Sequence, residues 1–163
     1  MRIRGIKEKV RRLKYCYDTN NPLEIIKELQ IVHSILDENE LRSHINKDDN
    51  YLKEKIINGC YFKSKNIKFI LINSSLDDIE RRKAYAHELG HSILHPDLNT
   101  FYLYKYTNAN IRKYENEADI FASELLLDDD IFEKYEGLSI YDIARYENVS
   151  VELVELKFKN RNR

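Results

Sequence analysis

Two histidines four residues apart, enclosing a glutamate, stand in AYAHELGHSILHP at residues 84–96, and their types and spacing suit a hydrolytic metal site. On a helix, His87 and His91 lie one turn apart on the same face, so both imidazoles can converge on one cation at a Zn–N distance of about 2 Å. Glu88 is turned from His87 by about 100°. Its carboxylate then stands beside the ion rather than on it, placed to take a proton from a metal-bound water. Zinc lowers that water's pKa to about 7, which makes a hydroxide available at neutral pH. His95 continues the four-residue series but lies ~12 Å along the helix from His87, too far to share one ion with both. Its expected place is at the helix end or behind the ligands, hydrogen-bonded rather than coordinating.

Two histidines leave a zinc site short of a protein ligand. The segment IRKYENEADIFASELLL at 111–127 offers Glu115, Glu117, Asp119 and Glu124. Ile111, Ala118, Phe121, Ala122 and Leu125 recur at helical spacing and define a buried stripe; Glu115 falls on its margin, whereas Glu117 and Glu124 point away. Alanines at 118 and 122 allow close approach of a second helix, as a carboxylate reaching a metal on that neighbour requires. Asp119, one turn beyond Glu115, is placed to accept a hydrogen bond from the second ring nitrogen of a ligating histidine. The expected constellation is therefore one Zn2+ on His87, His91 and Glu115, with Glu88 as general base and Asp119 behind a ligand.

The elements that must position these groups are legible around them. Ile3, Ile6, Val10, Leu13 and Tyr17 predict a first helix over 3–17, and Asn21 followed by Pro22 predicts a second over 22–29. IVHSILDE, from residue 31, reads as a strand, and 41–55 gives no clear pattern. IINGCYFKS and NIKFILIN predict a β-hairpin with its turn near Lys65 and Asn66. The motif helix starts near Ser75 or Asp77 and stops by His95, because Pro96 disfavours helix at the residue before it. Ala86, Leu89 and Ile93 supply its apolar side. A loop over 97–110, a helix over 111–127, and helices at 138–147 and 150–160 capped by Ser139 and Ser150 complete the chain.

With 27 Lys+Arg against 28 Asp+Glu the net charge is −1, so no global field draws the chain to nucleic acid or an anionic membrane. The basic stretch MRIRGIKEKVRRLK reads as a solvated helix face, and the acidic residues of the IYDIARYENVSVELV segment argue against phosphate contacts, so direct nucleic-acid binding is not expected. No apolar run approaches the ~18 residues that span a bilayer, and no signal-peptide pattern follows the basic start. Cytoplasmic placement is expected, with Cys16 and Cys60 as reduced thiols in or near the core. The length and the 42% hydrophobic content suit one domain over 1–163. Within it we distinguish an N-terminal part to residue 50, a strand and motif-helix part over 55–127, and a C-terminal helical part over 128–163.

The two linked segments, AYAHELGHSILH and YENEADIFASELLL, resemble the ImmA/IrrE family of zinc metallo-endopeptidases, whose members pair an HExxH helix with an ExxA[ND]xFAxxLL helix. The resemblance extends over about 55–160. It implies a small gluzincin-like α+β domain, mostly helical with a short antiparallel sheet before the HExxH helix, and carries Glu115 over as third ligand. It also implies an endopeptidase whose partner is a helix-turn-helix repressor or antitoxin of a phage, mobile element or stress-response system. The family's Met-Pro after the paired leucines is replaced here by LLLDDD. On this reading the strand at 67–72 aligns an extended substrate by β-addition, and Tyr85, Tyr102, Tyr104, Tyr106 and Tyr114 are candidate oxyanion donors. The alternative of a different class is an antirepressor that binds its partner without cutting it.

Overall fold

The computed structural model describes residues 2–44, 57–100 and 109–162. In chain order these form α1 (Ile3–Tyr17), α2 (Pro22–Glu28), β1 (Val32–Leu36), α3 (Glu38–His44), β2 (Gly59–Ser64), β3 (Ile67–Asn73) and α4 (Asp78–Leu94). There follow α5 (Ala109–Leu126), α6 (Ile131–Lys134), α7 (Ile140–Glu147) and α8 (Val151–Asn160). A small helix-rich α+β domain results, with one buried cluster running from Ile6 in α1 through Ile70, Ile72, Leu89 and Phe121 to Val154 in α8. Among the described residues no helix is long and apolar enough to cross a membrane.

Local chemistry explains the boundaries. The Asn21 carboxamide accepts from the Leu23 N–H at 3.0 Å with Pro22 at the first helical position, which starts α2. Asp77 accepts from the Glu80 N–H at 2.9 Å to start α4, and His95 leaves helical geometry one residue before Pro96. Ser139 caps α7, while Ser150 precedes α8 in extended backbone without a side-chain cap bond.

Two departures occur near β1. The strand stops at Leu36 because Asp37 accepts from the N–H groups of Asn39 and Glu40 at 2.8 and 2.9 Å, while its own N–H donates to the Glu40 carboxylate at 3.0 Å. That reciprocal capping box starts α3, where the sequence shows no clear pattern from residue 41 onward. The rest of that stretch, 45–55, lies outside the described residues.

The sheet is mixed rather than antiparallel. β2 and β3 form the expected hairpin, with Tyr61 opposite Ile70, but β1 pairs with β3 in parallel, giving the order β1-β3-β2. β3 is thus the central strand, consistent with its apolar run Phe69–Ile72. Both of its edges are already paired, so substrate addition along 67–72 is excluded. Among the described residues the outer strands are β1 and β2.

α5 packs against α4, α1 and α8 and is buried on several sides. A single-stripe reading of its phase therefore fails for two residues: Glu117 and Glu124 do not point to solvent but are buried. Glu124 pairs with Lys157 of α8 at 2.5 Å, and Lys157 also reaches Asp129 at 3.0 Å. The basic face of α1 meets the acidic 128–129 segment, with Arg11 on Asp129 at 2.9 Å and Lys14 on Asp128 at 3.3 Å. The charge asymmetry along the sequence is thus partly an internal pairing. Cys60 is buried, but Cys16 is exposed rather than near the core, because it lies on the solvent side of α1.

Candidate metal centre

The centre is built where α4 and α5 approach each other. Gly90 permits that approach: a β-carbon there would stand 3.1–3.2 Å from atoms of the Phe121 side chain. Ala86 and Leu89 are fully buried on the far side of α4, which turns His87 and His91 toward α5. Across the gap, Ala118 and Ala122 are buried and Glu115 stands one turn earlier, at the margin.

His87 Nε2 and His91 Nε2 are 3.1 Å apart; Glu115 places one carboxylate oxygen 3.4 Å from the first and the other 3.5 Å from the second. Tetrahedral ligands on zinc at about 2.05 Å are separated by ~3.3 Å. Each separation is of the size found between neighbouring ligand atoms on one zinc ion, with the two contacts to Glu115 made by its two different oxygens, and the donor set of two imidazoles and a carboxylate suits that ion. Among the described residues these three form the group whose donor atoms all lie within 4.8 Å of one another. On the other ring nitrogen, His87 Nδ1 meets Asp119 Oδ1 at 2.8 Å, which selects the tautomer that leaves Nε2 free to coordinate.

The electrostatics follow from burial and this crowding. Burial opposes charge on His87, but its hydrogen bonds to Asp119 and Glu115 prevail and push its pKa up to about 10. Burial likewise opposes charge on Glu115, and the two histidines hold it well below the usual carboxylate range. Glu88 differs: burial drives its pKa upward, tempered by His87 and His91, and one of its carboxylate oxygens is buried without a hydrogen-bond partner among the described residues. A carboxylate kept readily protonatable, with an unsatisfied oxygen beside the ligand cluster, is suited to carrying a proton.

His95 is not part of the ligand group. It ends α4, lies buried against the edge of Tyr114, and places Nε2 3.4 Å from Glu117. Burial and the neighbouring His91 lower its pKa to about 4, which favours the uncharged ring. Tyr85 is in the core with its ring centroid 6.4 Å from that of His33, and Tyr114 packs on His95 with centroids 4.7 Å apart. Tyr102, Tyr104 and Tyr106 lie outside the described residues.

Sequence reasoning found β2 as a hairpin strand but not its contact with the centre. Gly59 faces Glu88, with room for no side chain: a β-carbon would stand 3.3 Å from Glu88 Cγ and 3.0 Å from the Leu71 carbonyl oxygen. The backbone N–H of Tyr61 lies close enough to Glu88 to favour its charged form. A glycine between a polar stretch and an aromatic strand was the signal for this close approach.

A helix-borne pair of histidines, a carboxylate from a second helix and a buried glutamate beside them define a metallohydrolase type of centre. Residues 50–159 match the family described as the IrrE N-terminal-like domain, Peptidase M78. The chain is 36% identical over 154 residues to the uncharacterized immunity region protein 2 of Bacillus phage phi105, covering 93% of this chain and 88% of that protein. It is 33% identical over 161 residues to the metallopeptidase ImmA of Bacillus subtilis strain 168, covering 94% and 84% respectively. The chain belongs to the ImmA/IrrE family of metallopeptidases.

Proposed function

We propose that this chain is a zinc-dependent endopeptidase that cuts a protein partner, a helix-turn-helix repressor or antitoxin of a phage, mobile element or stress-response system. His87, His91 and Glu115 hold one Zn2+, Glu88 is the general base, and Asp119 orients His87. The observation that carries this reading is the convergence of His87, His91 and Glu115, one ligand atom of each within 4.8 Å of the others, with Glu88 buried beside them. The regulatory setting is supported by the names of the relatives, one a protein of a phage immunity region and the other a metallopeptidase.

The residues divide the work. A zinc ion held by the three ligands would supply Lewis acidity and bring a water's pKa to about 7. Glu88 accepts a proton and returns it to the leaving amine, and its upward-shifted pKa favours that return. Asp119 keeps the His87 ring in one tautomer and one plane. Of the candidate tyrosines, Tyr85 is taken up in the core, and Tyr114, next to Glu115 on α5 and packed on His95, is the described one left as a candidate donor toward a developing oxyanion.

Glu88→Gln separates this reading from a binding-only antirepressor. The zinc-loaded variant, incubated with the repressor encoded beside it, is expected to leave the repressor intact where the wild type cuts it. Equal inactivation of the repressor by both proteins, with zinc retained in both, would establish the binding-only mode.

A further inference from the structure

Among the described residues β2 is the outer strand that adjoins Glu88, and its outer edge is covered at Tyr61. Register decides which backbone groups face outward. The Asn58 carbonyl accepts from the Asn73 N–H at 2.9 Å, so alternate residues from Asn58 onward bond to β3 and Tyr61 turns its N–H and C=O away from the sheet. Both outward groups are met by one side chain. The Tyr61 N–H donates to Thr100 Oγ1 at 2.8 Å, and the same hydroxyl donates to the Tyr61 carbonyl oxygen at 2.8 Å.

That arrangement reproduces, with a single hydroxyl, the two hydrogen bonds that a residue of an antiparallel neighbouring strand exchanges with its partner. Thr100 is buried, and the chain leading to it is fastened to the same strand. The Tyr61 hydroxyl donates to the Pro96 carbonyl at 2.7 Å, and Lys63 pairs with Asp97 at 2.9 Å. The chain from Pro96 to Thr100 thus runs along the outer side of β2 where a further strand would lie.

We propose that the outward backbone pair of Tyr61 is the docking point for an extended peptide substrate, and that Thr100 occupies it as a built-in competitor which the substrate displaces. This rests on the peptidase reading above. The ligand class is set by the chemistry: an extended polypeptide presents one N–H and one C=O to the strand edge at alternate residues, matching what Thr100 supplies. Substrate pairing at β2 also brings the bound chain beside Glu88, whereas the β1 edge is separated from it by β3. Thr100 then raises the threshold for binding, since an incoming peptide gains the Tyr61 bonds only by breaking the existing ones.

The test uses the zinc-loaded full chain as wild type, Thr100→Val and Thr100→Ser, titrated with two probes: a trialanine hydroxamate, which joins a zinc-binding group to an extended peptide, and acetohydroxamate, which has no peptide. Valine keeps the shape of Thr100 but forms neither bond, so the covered state loses the net worth of two hydrogen bonds. The trialanine probe is expected to bind Thr100→Val about tenfold more tightly than wild type. Thr100→Ser should match the wild type, and acetohydroxamate should bind all three alike. Unchanged or weaker trialanine binding by Thr100→Val, with acetohydroxamate still bound, overturns the role of Thr100 alone. Failure of acetohydroxamate to bind any of the three proteins removes the metal-centre reading, and this proposal with it.

Discussion

The Nδ1 of His87 lies 2.8 Å from Asp119 Oδ1, so the first histidine of the motif is oriented by the same helix that provides Glu115, one turn away from Asp119. In the proposed centre α5 therefore contributes twice, once to the ion's place and once behind a ligand. Removing the rear contact leaves all three donor atoms present while freeing one ring to rotate.

Asp119→Ala is expected to weaken zinc affinity by about 10–100-fold. Its side chain is about half exposed, so thermal stability should change little. A competition titration against a chelator, beside a melting curve, checks both parts. Unaltered affinity would mean that Asp119 does not orient the ligand.

Gly90→Ala should be damaging although alanine is the better helix former by about 1 kcal/mol. The new methyl group would stand 3.1–3.2 Å from Phe121, including its β-carbon, so α5 must move away from α4. We expect a net loss of about 1–2 kcal/mol in denaturant unfolding, together with weaker zinc binding because Glu115 moves with α5. Stability equal to wild type and full zinc affinity would show that Phe121 yields without moving its helix.

Lys157→Met should cost roughly 3 kcal/mol, because Glu124 is left charged and buried with, among the described residues, Lys7 at 3.8 Å as its remaining cation. The double variant Lys157→Met with Glu124→Leu should recover most of that loss, since no uncompensated charge remains. Denaturant midpoints of the two single variants and the double close the cycle. A double variant no more stable than Lys157→Met would assign the loss to packing.

The motif residues were legible because their geometry is local. His87, Glu88 and His91 share one helix whose start and stop are written in Asp77 and Pro96, and the Ala118–Ala122 stripe pointed to the helix bearing Glu115. Glu117 and Glu124 were misjudged because one stripe describes a helix buried on one side, whereas α5 is packed by α1, α4 and α8. The parallel pairing of β1 with β3 was not legible either, because alternation within a strand does not name its neighbour. The contribution of Gly59 and Tyr61 arises from the packing of β2 against α4, which the hairpin pattern does not specify. It could be seen only once β2 was placed beside Glu88.

Metal content tests the central claim most directly. Purified wild type, His87→Ala and Glu115→Ala would be equilibrated with zinc, freed of excess, and assayed for bound metal, with circular dichroism confirming that each variant is folded. The account predicts about one zinc per chain for wild type and a marked loss in both variants. One retained zinc per folded chain in both would contradict the site.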